Sequence, residues 1–265
     1  MSLCARNLHI TLSGRPVLHG VDLTAPAGRV TAIIGPNGSG KTTLLRALTG
    51  EVAPACGGVT LNGRDIGGQT PQALARQRAV LPQHSALSFP FTAAEVVRIA
   101  LESLPMPEPE RAALIRRALA RVGLSGHAGR LWQTMSGGEQ QRVQLARALA
   151  QIWAPPGEMG EAGGPRWLLL DEPVSSLDIA HQLAVMHLAR DHAADGGATV
   201  AVMHDLNLTA MFADHVLLLR DGRVLAEGPP DLVLTDPLLE RAYGCALRIL
   251  HAPETGVWLL PQSAA

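Results

Sequence analysis

The run Gly35-Pro36-Asn37-Gly38-Ser39-Gly40-Lys41-Thr42 limits what this chain can fold into more than any other stretch. An apolar, β-prone segment, residues 29–34, leads into it, and residues 41–48 leave it with helical spacing, so the order is strand, glycine loop, helix. Glycines let successive backbone N–H groups turn inward. The amino end of the helix adds partial positive charge, and together they make a nest for phosphate oxygens. The spacing fits the GxxxxGK[ST] pattern, which predicts that residues 35–42, with Thr43 beside them, grip a nucleotide. Lys41 is expected to reach the β and γ phosphates, and the Thr42 hydroxyl to hold Mg²⁺. Apolar strand candidates separated by helices later in the chain give the alternation expected of a parallel sheet with helical crossovers, so the fold class is α/β.

The bulk numbers agree. The chain has 265 residues, 47% hydrophobic and 17% charged, with aliphatic rather than aromatic apolar content, as suits helices packed on a sheet. A formal net charge of -1 supplies no basic field for a nucleic acid, so none is expected as a partner. Lys41 is the single lysine; every other Lys+Arg position is arginine. An ammonium on a flexible stem suits phosphate as a point charge. The three cysteines, Cys4, Cys56 and Cys245, form no CxxC pair, which argues against a zinc site or a disulfide framework and fits a reducing cytoplasm. The first fifteen residues lack the apolar core of a signal peptide, and no window approaches the roughly 20 apolar residues that span a bilayer. Any service to a membrane is therefore expected to go through a partner.

Along the chain, residues 3–12 and 16–23 read as β-strands about the turn Ser13-Gly14-Arg15, and 57–62 as a further strand, while 79–81 is a short apolar run just before Gln83. Residues 92–122 carry a helical pattern that Pro105, Pro107 and Pro109 break in two, with Ala112, Ile115, Leu119 and Val122 as its core face. Residues 152–165, rich in Pro, Gly and acid, read as a surface loop. Residues 167–170, 199–203 and 216–219 are candidate buried strands of a parallel sheet, and Gly222 and Gly228 punctuate a later hairpin.

Two further motifs complete a chemistry. The apolar run 168–170 ends in Asp171-Glu172, which places one carboxylate to hold Mg²⁺, directly or through water, and the next to deprotonate an attacking water as general base. The string Met135-Ser136-Gly137-Gly138-Glu139-Gln140-Gln141-Arg142 precedes a helical run. Ser136 caps that helix, and Gly137 and Gly138 permit close backbone approach, so its amino end is a second anion site. This string resembles the signature motif, LSGGQ in its usual form, of ATP-binding cassette (ABC) ATPases, and the resemblance runs over essentially the whole chain.

The resemblance implies a single ABC ATPase domain over residues 1–265: a RecA-like parallel-sheet core, an N-terminal antiparallel β layer and an α-helical subdomain over about 84–150. It implies ATP and Mg²⁺ as ligands, with Gln83 as the glutamine that touches metal and water, and His204 as the switch histidine on the γ phosphate. Residues 175–178, ending in Asp178, match the loop that crosses the subunit interface. Two copies pair head to tail, so that each ATP lies between residues 35–42 of one and Ser136, Gly137 and Gly138 of the other. The homodimer drives an integral-membrane permease dimer at the cytoplasmic face of the inner membrane, fed by a periplasmic substrate-binding protein. Two positions depart from the family: Met135 replaces the leucine, and residues 3–23 lack the aromatic that usually stacks on adenine, leaving Leu12 or Arg15 for that contact.

Residues 82–92, with Phe89 and Phe91, lie where family members receive the permease. Their wording, with PQALARQRAVLPQ before them and the loop leading into PRWLLLDEP, resembles the haemin-import ATPases. ATPases importing ferric siderophores or cobalamin share much of the pattern and are the alternative. Soluble ABC ATPases usually carry two cassettes or a long coiled-coil insertion, for which 265 residues leave no room.

Overall fold

A computed structural model describes residues 1–83, 87, 89–102, 104, 106–153, 164–247 and 249. Strands β1 (Ser2–Leu12) and β2 (Arg15–Pro26) make a long hairpin through a turn whose Ser13 and Gly14 both have positive φ, the geometry that matches strand twist. After β3 (Val30–Ile34) and helix α1 (Lys41–Leu48), strands β4 (Cys56–Leu61) and β5 (Arg64–Asp65) complete an antiparallel sheet of order β2-β1-β4-β5. Its buried face changes parity within a strand. Leu3 and Ala5 are buried at odd positions, Leu8 and Ile10 at even ones, because a bulge at Asn7 (φ 45°) inserts a residue.

Then follow α2 (Pro71–Gln77), β6 (Arg78–Leu81), α3 (Ala93–Ile99), α4 (Glu108–Arg121), α5 (Gly137–Trp153), β7 (Trp167–Asp171), α6 (Ile179–Ala194) and β8 (Ala198–Val202). The chain continues with α7 (Leu206–Phe212), β9 (His215–Arg220), β10 (Arg223–Gly228), α8 (Pro230–Val233) and α9 (Asp236–Tyr243). Six strands form the second sheet, in the order β10-β9-β3-β8-β7-β6, parallel except for the β9–β10 hairpin. Every residue of β3, β7 and β8 is buried, since both faces of the sheet are covered. One face, with Ile33, Leu169, Val200 and Leu217, packs on α1 and the antiparallel sheet; the other, with Ala32, Leu168, Leu170 and Leu218, packs on α3 to α7. Helix α1 therefore sits between two β layers, and the loop before it is anchored from both.

The 92–122 stretch breaks in two as expected, between α3 and α4, with Pro107 as the N-cap of α4. Three details need correction. Pro109 is not in the break; it lies in the first turn of α4, where its missing N–H has no intrahelical partner to lose. Pro105 lies outside the described residues. Ile152 and Trp153 belong to the last turn of α5 rather than to a loop, Trp153 lying under the Arg117 guanidinium at 4.8 Å, while residues 154–163 fall outside the described set. Helix α2 was not expected: its apolar side chains, Ala73, Leu74 and Ala75, are consecutive and give no periodic signal, and its start is fixed by Thr70, whose side chain accepts from the Ala73 N–H.

Candidate functional site

Strand β3 delivers Gly35 at φ 147°, where a Cβ would run into the Leu219 carbonyl oxygen, so only glycine leaves the sheet here. Gly40, at φ 100°, is the N-cap of α1 and makes no side-chain cap; its own missing Cβ is matched by Leu18 Cδ2, which would lie 2.6 Å from one. The first turn of α1 thus presents backbone N–H groups that no capping side chain satisfies. Lys41 is buried, and its Nζ donates to the carbonyls of Gly35 and Pro36, at 2.9 Å each. Burial lowers the Lys41 pKa, against the opposing pull of Glu172 and Asp171. Ser39 is buried too, with a hydroxyl that has no hydrogen-bond partner.

Strand β7 ends at Asp171, which is 5% exposed and accepts a 3.2 Å hydrogen bond from Thr42 Oγ1. Burial raises the Asp171 pKa, and the Thr42 hydroxyl works against that rise. A threonine hydroxyl beside a buried carboxylate, both hard oxygens, is a donor set that fits Mg²⁺, which takes few protein ligands and fills its sphere with water and phosphate. Among the described residues no group of three or more His, Cys, Asp or Glu side chains is placed to hold a metal ion.

Glu172 follows in the left-handed region at φ 49°, and its N–H donates to the Val202 carbonyl at 3.2 Å. Its Oε1 lies 2.7 Å from His204 Nε2, just beyond the end of β8. Because a carboxylate accepts, the imidazole nitrogen is the donor and Oε2 is left free. Val17, Asn37, Gly38, Gly40, Lys41, Thr42, Thr43, Glu172 and His204 line a cavity of about 250 Å³. The arrangement can hold an anion on Lys41 and the loop, and a proton acceptor on Glu172, across one small volume.

The other expected residues lie elsewhere. Ser136 and Glu139 cap α5 reciprocally: the Ser136 N–H donates to Glu139 Oε2 at 2.8 Å, and the Glu139 N–H to Ser136 Oγ at 3.3 Å. The Ser136 backbone bond holds the Glu139 carboxyl down at about 2, with Arg130 adding to it. Ser136, Gly137 and Gly138 do not line the cavity; Gly138 packs against the Ser176 carbonyl and Leu177. Asp178 is the N-cap of α6, accepting from the His181 N–H at 2.9 Å. Gln83 is exposed past β6 and is not among the cavity residues, while His84, Ser85, Ala86 and Ser88 lie outside the described set.

Sequence reasoning missed two contributors. Val17, on β2, borders the cavity where Leu12 or Arg15 was expected; Leu12 packs on the core beneath, and Arg15 is exposed at the start of β2. The turn Asp221-Gly222 clasps the loop: the Gly222 N–H donates to the Ser39 carbonyl at 3.1 Å, and the Gly222 carbonyl accepts from the His19 N–H at 2.9 Å. Neither has a local signal, since each acts through a partner distant in sequence.

Comparison with known proteins agrees with this geometry. The ABC transporter family pattern matches residues 18–175. The hemin import ATP-binding protein HmuV of Jannaschia sp. (strain CCS1) is 57% identical over 263 residues, covering 99% of this chain and 95% of that protein. Its counterpart from Rhizobium meliloti (strain 1021) is 53% identical, covering 98% of each. Among solved structures, an ATP-binding subunit of an ABC transporter superposes with a TM-score of 0.76 at 24% identity, covering 92% of this chain and 94% of that one. The cbiO1 protein from Clostridium perfringens, part of the ABC transporter complex cbiONQ, gives 0.73 at 25% identity, covering 90% and 92%. With the family pattern over residues 18–175 and relatives above 50% identity along nearly the whole length, this chain belongs to the ABC transporter family as an ATP-hydrolysing member.

Proposed function

We propose that this chain powers haem uptake, as a homodimer on the cytoplasmic face of the inner membrane coupled to a permease dimer that a periplasmic binding protein supplies. The observation that carries the cargo is identity above 50%, over nearly the full length, to two proteins named for hemin import. Among the described residues no helix is long and apolar enough to cross a membrane, in keeping with a separate permease.

The chemistry rests on Glu172. Its carboxylate takes the proton of the attacking water at Oε2, while His204, donating to Oε1 at 2.7 Å, fixes the carboxylate's rotation and adds positive potential beside the γ phosphate. Lys41 exchanges its two loop carbonyls for phosphate oxygens, and backbone N–H groups of residues 38–43 receive the rest. Thr42 and Asp171, with Gln83, would hold Mg²⁺, which would supply charge neutralisation on the phosphates. Ser136, Gly137 and Gly138 stand away from this cavity because they serve the ATP of the second copy, where Asp178 also approaches.

Glu172→Gln tests the chemistry: turnover is expected to fall by about a hundredfold or more with ATP binding retained, and wild-type turnover removes Glu172 from the role. Reconstitution with the permease and binding protein, comparing haem, ferric siderophores and cobalamin, tests the cargo. Stimulation by a cargo other than haem alone refutes it.

A further inference from the structure

The backbone of Glu172 has two anchors outside its own turn. On its amino side the N–H donates to Val202 of β8, and on its carboxyl side the carbonyl accepts from Gln141 Nε2 at 3.3 Å. The remaining bonds to that carbonyl come from Ser175, by its N–H at 3.4 Å and its hydroxyl at 3.2 Å, and move with the turn. Gln141 belongs to α5, one turn beyond Gly138, which packs on the same 172–178 segment at Ser176 and Leu177. Its amide orientation is fixed, since the reverse would face two oxygens at that 3.3 Å separation, and its Oε1 is buried without a partner. Gln141 is half-buried, and the bond to the Glu172 carbonyl is the one its amide makes among the described residues.

We propose that Gln141 is a positioning residue for Glu172. A glutamate at φ 49° occupies the left-handed region, which is unfavourable for an L-residue. Such a backbone keeps its direction only while both flanking peptides are held. Val202 holds one and Gln141 the other, and between them they aim the Cα–Cβ bond at His204. Without the Gln141 donor the following peptide rotates and the carboxylate leaves the line of attack. Gln141 does not line the cavity, so nucleotide binding is untouched.

The inference rests on Glu172 being the general base, and the test separates the two. Gln141→Met and Gln141→Glu preserve length and volume but carry no N–H donor. In steady-state ATPase assays on the full chain, both are expected to lose about 10- to 100-fold in kcat, as small misplacements of a reacting group do, with KM within about twofold of wild type. The thermal midpoint is expected to stay within a few degrees. Wild-type kcat in both, with Glu172→Gln inactive, overturns the positioning role and leaves the base standing. An active Glu172→Gln overturns both. KM and thermal midpoint moving in step with kcat identify an ordinary packing residue and also overturn the proposal.

Discussion

Replacing Gly222 by alanine separates the two demands this turn makes on its residue. Gly222 has φ 70°, and a Cβ there would overlap the Val17 carbonyl oxygen, a backbone atom that cannot rotate aside. Gly14 has φ 75° in the β1–β2 turn, with nothing within 4 Å of a Cβ. Gly14→Ala therefore bears only the cost of a left-handed L-residue, about 1–2 kcal/mol. Gly222→Ala bears that and must also push the turn off β2, stretching the bonds from His19 and to Ser39, each worth about 0.5–1.5 kcal/mol net. The sum is about 2–5 kcal/mol. Urea unfolding of the two variants measures the difference directly, and ATP titration adds a second reading, since the Ser39 carbonyl loses its donor only in Gly222→Ala. Equal destabilisation, within about 0.5 kcal/mol, would refute the claim that the turn is wedged against β2.

Lys41→Ala removes a charge-assisted contact to phosphate worth about 1.5–3 kcal/mol, so the Kd for ATP should rise by about ten- to a hundredfold; unchanged affinity in a fluorescent-nucleotide titration would contradict the loop's role. His192, whose Nε2 donates to the Arg166 carbonyl at 2.9 Å, has its pKa lowered by burial from its ordinary 6.5. The unfolded chain therefore binds a proton that the folded one refuses, so this group's stabilisation is complete above pH 6.5 and declines as pH falls below it. Urea midpoints between about pH 8 and 5 should fall less steeply in His192→Gln, which keeps a donor for Arg166, and an identical slope would remove His192 as the cause.

The parts of this molecule that sequence displays are those whose partners are local or whose surroundings are uniform. Helix α1 begins at Lys41 because glycine must turn the chain before it, and β7 and β8 show as bare apolar runs because both faces are covered. The loop, Asp171, Glu172 and His204 were all legible; Lys41, Thr42, Glu172 and His204 line one cavity, and Asp171 stands beside it through its bond from Thr42. The clasp from Gly222, the wall at Val17 and the bond from Gln141 were not. Each joins residues far apart in the chain, and a valine, a turn glycine and a helical glutamine look the same whether or not such a partner exists. The end of α5 was read short because Pro155 and Pro156 signal a break, and a helix can run up to two residues before such a pair.

The place of β3 in its sheet has a consequence for how the chain comes off the ribosome. Strand β3 and its glycine loop are synthesised early, yet the neighbours of β3 are β8 and β9, made more than a hundred and fifty residues later. Until Ala198–Val202 has emerged both edges of β3 are unpaired, until His215–Arg220 has emerged one still is, and the turn that clasps Ser39 comes later still. The nascent chain thus carries its complete phosphate-binding sequence for most of its synthesis without a phosphate-binding site. Nucleotide can reward only finished chains with added stability, and the exposed edges of the central strand are what a chaperone must shield in the meantime.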